Sequence, residues 1–486
     1  MNNVFQNKII KTIFWIIVAV LMVRLVSLGF NPMMDTTEAR YSEIGRIMFE
    51  TGNWITPQFD YGVPFWGKPP LSFWATAASF HIFGVSDFAA HLPHFLFMLG
   101  IVVLMYFFVR KYLGQMAAMI SAAVMMTLPV FVYLMGGVMT DPAFALCVTL
   151  AFISFYNAMN DGGRRAQGYL FFAAVGLALL AKGPLAFVII GAPIFLFVLF
   201  KNKWRELRRA IPWIGGPLLM LVIALPWYIL AERATPGFLD YFIIGEHYLR
   251  YVTPHWTGDL YGQGRGGFPG KIICFWIISL LPWLVWIAAK LFDGSFRRNL
   301  DAREFIRNDF LFFMVLNIAV TLLFFSLSKN IVMTYVITTI APSAVLIAWM
   351  TDKTKSFGTG KFKLLACLNI ALFAIMIGAS AFNPKWSANI GRSDRFLVRT
   401  YIAERHDAAV PLFYFLRSRT YSSRFYSDGK IIQTNDVADI RAAVDAHGAV
   451  YALMPNNAKP KEYGFKDLNK TIVYSGKKNT LVKLSR

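Results

Sequence analysis

Two short stretches place acids and bases just beyond or just before apolar runs: Asp35-Thr36-Thr37-Glu38-Ala39-Arg40-Tyr41 and Gly67-Lys68-Pro69-Pro70. Charges at the mouth of a membrane helix are costly to keep there, so such crowding marks a place for chemistry or transport. Asp141-Pro142 opens a later apolar run, and Lys182 sits in Ala-Lys-Gly-Pro. Glu246-His247-Tyr248-Leu249-Arg250 precedes His255, and Lys329 lies in Ser-Leu-Ser-Lys-Asn. Cations grouped with carboxylates can hold an anion and can orient or deprotonate a nucleophile.

Each residue also has a plainer role to be weighed. Lys68 is held between Gly67 and Pro69-Pro70, a stiff backbone that presents one flexible cation beside the membrane and suits a lipid phosphate. Interface snorkelling is the alternative. Thr36 and Glu38 read either as helix capping or as part of a site, with the helix N-terminus favouring an anion. Asp141 taken alone reads as a helix cap with proline in the first turn. Lys182 and Lys329 stand against the charge bias of the other loops and read as anion ligands. For Glu246, His247, Arg250 and His255, phosphate or sugar contact is favoured over metal, because HExxH and paired-acid spacings are missing. The glycine run 261–267 lacks the ending of a P-loop.

The elements that must carry these residues are membrane helices. The 486 residues are 57% hydrophobic and 15% charged, against roughly 25% charged in soluble domains. Mean hydropathy is +0.50. The net charge of +21 lies mostly in short loops, which argues for membrane orientation and against nucleic acid as a partner. Cys147, Cys274 and Cys367 fall inside apolar runs and form no disulfide or metal pattern. Runs long enough to span lie near 9–29, 89–109, 115–134, 139–158, 168–181, 184–200, 211–231, 270–290, 309–327, 332–350 and 363–382. The pair flanking Lys182 is short and reads alternatively as half-helices.

Alternating spans put the lysine and arginine clusters on one side, the cytoplasm. The candidate site residues, the long loops 30–88 and 232–269 and the tail after 383 then share the opposite face. The tail turns polar, with strand-like stretches at 430–433, 449–453 and 471–474 and a helix over 436–447. The expected architecture is a polytopic α-helical membrane protein of about 11–13 transmembrane helices. It spans 1–382, with a small C-terminal extracytoplasmic α/β domain at 383–486.

Thr-Glu-Ala-Arg-Tyr, Glu-Ile-Gly-Arg-Ile-Met, Gly-Lys-Pro-Pro-Leu, Met-Thr-Asp-Pro, Glu-His-Tyr-Leu-Arg and Phe-Ser-Leu-Ser-Lys-Asn followed by Tyr335 occur together and in order. On these motifs the chain resembles the GT-C membrane glycosyltransferases, in the protein O-mannosyltransferase and lipid A aminoarabinose transferase branch. The resemblance implies a polyprenyl-phosphate sugar donor used on the periplasmic face of a bacterial inner membrane, with inversion at the anomeric carbon. It implies lipid A or another envelope glycolipid as acceptor. A protein hydroxyl is the alternative, and a glycolipid flippase is the rival class. Arg40, Lys68, Lys182, Arg250, Lys329 and Tyr335 are then the donor-phosphate ligands; Tyr41, His247 and His255 contact substrate; Asp141 lines the sugar site as a catalytic residue; and either Asp35 or Glu38 is the catalytic acid, or the mechanism needs no strong base. Relatives commonly carry an aspartate where Thr37 stands and a glutamate where Gly67 stands. The resemblance implies no certain cofactor; a divalent metal is an alternative that is not favoured.

Overall fold

The computed structural model describes residues 3–160, 165–262, 266–301, 303–354, 385–416, 419–456 and 467–486, with Phe465 and scattered residues in 364–383. Most of the span expected at 363–382 therefore lies outside the described residues. Among those described, six helices are long and apolar enough to cross a bilayer: Lys8–Ser27, Asp87–Leu113, Thr140–Asn160, Gly215–Ala234, Asp309–Leu327 and Met333–Lys353. Leu71–Phe83, Gln115–Thr127 and Leu185–Phe200 are shorter and apolar.

The run at 270–290 is a bent pair and not a straight span: Lys271–Ser279 and Trp283–Leu291 meet at 89°. Pro282, which cannot donate a backbone hydrogen bond, begins the second arm. Pro129 likewise interrupts the run at 115–134, which continues as Pro129–Leu134. Arg24 ties this short helix to the first one, donating to the carbonyls of Val132 (3.1 Å) and Tyr133 (3.2 Å).

The segment 30–88 is itself folded. A helix over Thr37–Thr51 stops at Gly52, whose φ of 66° is the left-handed conformation that ends helices. Strands β1 (Gln58–Asp60) and β2 (Val63–Pro64) pair antiparallel, and the chain then passes Lys68 into Leu71–Phe83. A Cβ at Gly45 would lie 2.8 Å from the Thr76 side chain, so glycine permits these two helices to lie close. The Thr37–Thr51 helix has a pattern that suits a membrane interface, yet most of it is buried because the tail covers its charged face.

That tail contains a mixed five-stranded sheet. β3 (Leu412–Phe415), β4 (Ile432–Thr434), β5 (Ala449–Pro455), β6 (Asn469–Ser475) and β7 (Asn479–Ser485) lie in the order β4-β3-β5-β7-β6. β3 runs parallel to β4 and β5, while β7 is antiparallel to β5 and β6. The helix Val437–His447 packs on β5, burying Ile440 and Val444.

Candidate functional site

A cavity of about 450 Å³ joins charged and apolar walls. Lys68, Lys182, Glu246, His247, Arg250 and Tyr335 form its polar end, with Ser328 and Asn330; Leu185, Val188, Ile243, Phe324 and Phe325 form its apolar side.

Local sequence explains how each group is aimed. Lys68 leaves a backbone stiffened by Pro69-Pro70 and puts Nζ 2.9 Å from Glu246 Oε2. Arg250 is the first residue of a short α-turn, Arg250–Val252, and follows directly on Asp240–Leu249, a π-helix that carries Glu246 and His247. Such wide turns are rare and recur at functional sites because they re-aim side chains that an α-helix would stack. Arg250 Nη1 reaches Glu246 Oε1 at 2.8 Å and Asp259 Oδ2 at 3.2 Å. Lys182 ends its helix beside Gly183, where φ is +76° and a Cβ would collide with the Phe242 ring at 2.6 Å. The backbone of this turn can therefore lie against that ring only with glycine there. Lys182 Nζ lies 2.7 Å from Asp141 Oδ1 and 4.7 Å from the Tyr335 ring centroid.

Burial works against charge here, and the partners reverse it. Desolvation alone would lower the Lys68 pKa, but the Glu246 carboxylate holds it above its ordinary value. Desolvation would raise Glu246, and Lys68 with Arg250 keeps it below the usual range. His247 is pushed down by burial. Its nitrogens lie 2.7 Å from the Phe242 carbonyl and 3.1 Å from the Lys182 carbonyl. A neutral ring donates to only one of them, which fixes its orientation without adding a charge.

The remaining predicted residues lie outside this cavity. Arg40 is half-buried in an aromatic cage, its guanidinium carbon 5.2 Å from the Tyr41 ring, 5.8 Å from Phe65 and 5.9 Å from Tyr421. It donates to the Tyr261 carbonyl. Tyr41 is buried edge-on against Phe65 and Phe73. Asp35 accepts from the Ser422 amide at 3.0 Å and from the Ser422 hydroxyl. Thr36 makes no capping bond, and Glu38 accepts from the Met34 amide at 3.3 Å. Burial pushes both Asp35 and Glu38 up to about 7. His255 is exposed beside Gly266. Lys329 is exposed, and its amide donates to the Tyr251 carbonyl at 2.9 Å.

Sequence reasoning passed over Asp259 and Asn330. Asn330 donates to the carbonyls of Arg250 (2.6 Å) and Thr253 (2.9 Å), closing the loop over the cavity. Its signal was its place beside Lys329. Asp259 stands nine residues from Arg250 across a turn, a spacing that carries no regular signal. Among the described residues no three His, Cys, Asp or Glu side chains gather as a metal site would require.

Residues 9–242 match the family described as dolichyl-phosphate-mannose-protein mannosyltransferase. An undecaprenyl phosphate-alpha-4-amino-4-deoxy-L-arabinose arabinosyl transferase of Aeromonas hydrophila is 28% identical over 373 residues, 74% of this chain and 64% of that protein. The enzyme of the same description from Sodalis glossinidius is 29% identical over 374 residues, 74% of this chain and 63% of that protein. The chain thus covers less than two thirds of the length of these relatives. The crystal structure of ArnT from Cupriavidus metallidurans bound to undecaprenyl phosphate superposes with a TM-score of 0.75 at 18% identity, covering 97% of this chain and 98% of that one. That likeness establishes a shared fold, helical bundle and C-terminal sheet included. Over residues 9–242 the chain is thus similar to the protein mannosyltransferase family, over about three quarters of its length to the aminoarabinose transferases, and in fold to ArnT.

Proposed function

We propose that this protein transfers a sugar from a polyprenyl-phosphate donor to an acceptor on the outer face of the membrane, with lipid A or another envelope glycolipid as the acceptor and inversion at the anomeric carbon. The observation that carries this reading is the cavity in which Lys68, Lys182 and Arg250 face an apolar wall. A polyprenyl phosphate has that same division, an anionic head on a hydrocarbon chain. Lys68 and Arg250 hold the phosphate, and Lys182, set by Asp141 and the Tyr335 ring, completes the clamp. As the bond from phosphate to sugar breaks, charge builds on the phosphate oxygen, and cations in a poorly hydrated cavity stabilise it most. Arg40 and Tyr41 lie outside the cavity, His247 orients the Lys182 turn, and His255 and Lys329 act on the exposed approach.

The carboxylates bear on the acceptor. Asp35 is engaged by Ser422, and Glu38 is buried against the Met34 amide. Neither lines the cavity, which favours an acceptor that arrives ionised, such as a phosphate, over a hydroxyl that must lose a proton. Residues 1–382 form the catalytic membrane unit and 383–486 an extracytoplasmic domain, with the N-terminus cytoplasmic. The purified protein, given an undecaprenyl-phosphate-linked sugar and lipid A, is expected to release undecaprenyl phosphate and yield lipid A heavier by one sugar on mass spectrometry. Donor consumption only with a peptide acceptor would move the reading to protein glycosylation.

A further inference from the structure

We propose that Glu246 sets the charge of the cation cluster so that the cavity retains a singly charged phosphodiester and releases a doubly charged phosphomonoester. This rests on the reading of the cavity as the polyprenyl-phosphate donor site. It adds a specificity-determining residue to that site.

Glu246 is the hub of the cluster. Its carboxylate lies 2.9 Å from Lys68 Nζ and 2.8 Å and 3.0 Å from Arg250 Nη1, with the Tyr241 hydroxyl at 3.4 Å. Its side chain is 4% exposed. Around it stand Lys68, Arg250 and, across the cavity, Lys182; their acidic partners are Glu246 itself, Asp259 and Asp141. Tyr241, Tyr335 and the neutral His247 add no charge. Three cations therefore face three carboxylates, and the cluster is close to neutral although each cation alone suits a phosphate.

Glycosyl transfer changes the charge on the ligand. The bond between the anomeric carbon and the phosphate oxygen breaks, and its electron pair stays on that oxygen. The acceptor oxygen supplies the pair for the new bond, and a hydroxyl acceptor also gives up its proton. The lipid phosphate thus passes from a diester with one negative charge to a monoester that carries a second above its pKa of about 6. Three unopposed cations would bind that product more tightly than the donor and hold it. Glu246, already bonded to two of them, competes for the same donors and opposes the second charge. Its penalty on the monoester grows as pH rises through the second ionisation of the phosphate.

The test measures binding of two probes to the full-length protein in nanodiscs: undecaprenyl phosphate and its methyl ester, which cannot take the second charge. In Glu246→Gln the monoester should bind about tenfold tighter at pH 8, equivalent to roughly 1.4 kcal/mol. The methyl ester should change by less than about threefold, and the monoester gain should shrink at pH 5. Glu246→Asp, which keeps the charge, should preserve the wild-type preference. Weakening of both probes in Glu246→Gln would overturn the proposal, leaving Glu246 as a scaffold for Lys68 and Arg250. Equal tightening of both probes, or a preference lost in Glu246→Asp, would overturn it too. If the wild type binds neither probe, the donor-site reading itself falls.

Discussion

Asp35 and Ser422 stand 387 residues apart in the chain and are joined twice, the serine amide donating to one carboxylate oxygen at 3.0 Å and its hydroxyl to the other. The serine belongs to Tyr421–Tyr426, the helix of the tail that lies on Thr37–Thr51. Asp394 is buried nearby and holds Thr420 and Asn479. Asp35 thus latches the tail to the 30–88 segment.

This latch gives stability a pH dependence of definite sign. Burial raises Asp35 from 3.8 to about 7, so the folded protein binds the proton more tightly than the unfolded chain. Its contribution is full below pH 3.8, declines up to about 7 and changes no further above that. Glu38, also at about 7, and Asp394, also raised, act in the same direction. Melting of the purified protein at pH 5 and pH 8 should show a smaller drop in Asp35→Asn than in the wild type. Equal drops would remove Asp35 from the account.

The same residue reports on the acceptor. With a phosphate acceptor, Asp35→Asn and Glu38→Gln should each lower kcat by less than about tenfold, because no proton has to be removed. A loss above about a thousandfold in either variant, with donor affinity unchanged, would point to a hydroxyl acceptor and to that carboxylate as its base.

Lys68→Ala should lower transfer by at least about a hundredfold, the scale for removing one pre-set group that stabilises developing charge. The variant should still insert and purify. Lys68→Arg should retain part of the activity, since a guanidinium is broader and flatter than an ammonium. Near-wild-type turnover of Lys68→Ala with a polyprenyl-phosphate sugar would rule out the clamp.

Glu43 is fully buried and accepts from Arg46 at 2.8 Å and 2.9 Å, with Arg424 of the tail at 3.6 Å. Glu43→Ala removes the fully buried partner of Arg46 and Arg424 but leaves Arg46 with Glu50 and Arg424 with Asp60, so the cost should fall at or below the low end, about 3 kcal/mol, for breaking a buried pair. A melting temperature within a degree of wild type would refute this. Activity should fall only as far as the folded fraction does.

Membrane sidedness can be read by labelling. In a background with Cys147, Cys274 and Cys367 replaced by serine, cysteines at the exposed positions Thr51 and Thr471 should react with an impermeant maleimide in spheroplasts. A cysteine at Arg208 should react only after lysis. Protection at Thr51 or Thr471 would invert or break the proposed orientation.

The parts legible in the sequence are those whose cause is local. Lys68 could be read from the prolines after it, and the helix at Val437–His447 from its period and its Asp436 cap. β3 was missed because Leu412–Phe415 is buried along its whole length and shows no alternation. The bend at Pro282 was missed because an unbroken apolar run reads as one span. Asp141 looked like a helix cap until the fold brought Lys182 to it from 41 positions away. Glu246 was visible as a charge, but that it neutralises two predicted phosphate ligands at once depends on where Lys68 lies, 178 residues earlier.

The latch also sets an order of events. Asp35 waits for Ser422, Glu43 for Arg424, and Asp87 for Arg395, Arg399 and Tyr426. The 30–88 segment, made early during synthesis, therefore carries buried acids whose partners in the tail have not yet been made. A chain cut short before residue 390 would lack Ser422, Arg424, Arg395, Arg399 and Tyr426 together, leaving the acids of this segment without their partners from the tail.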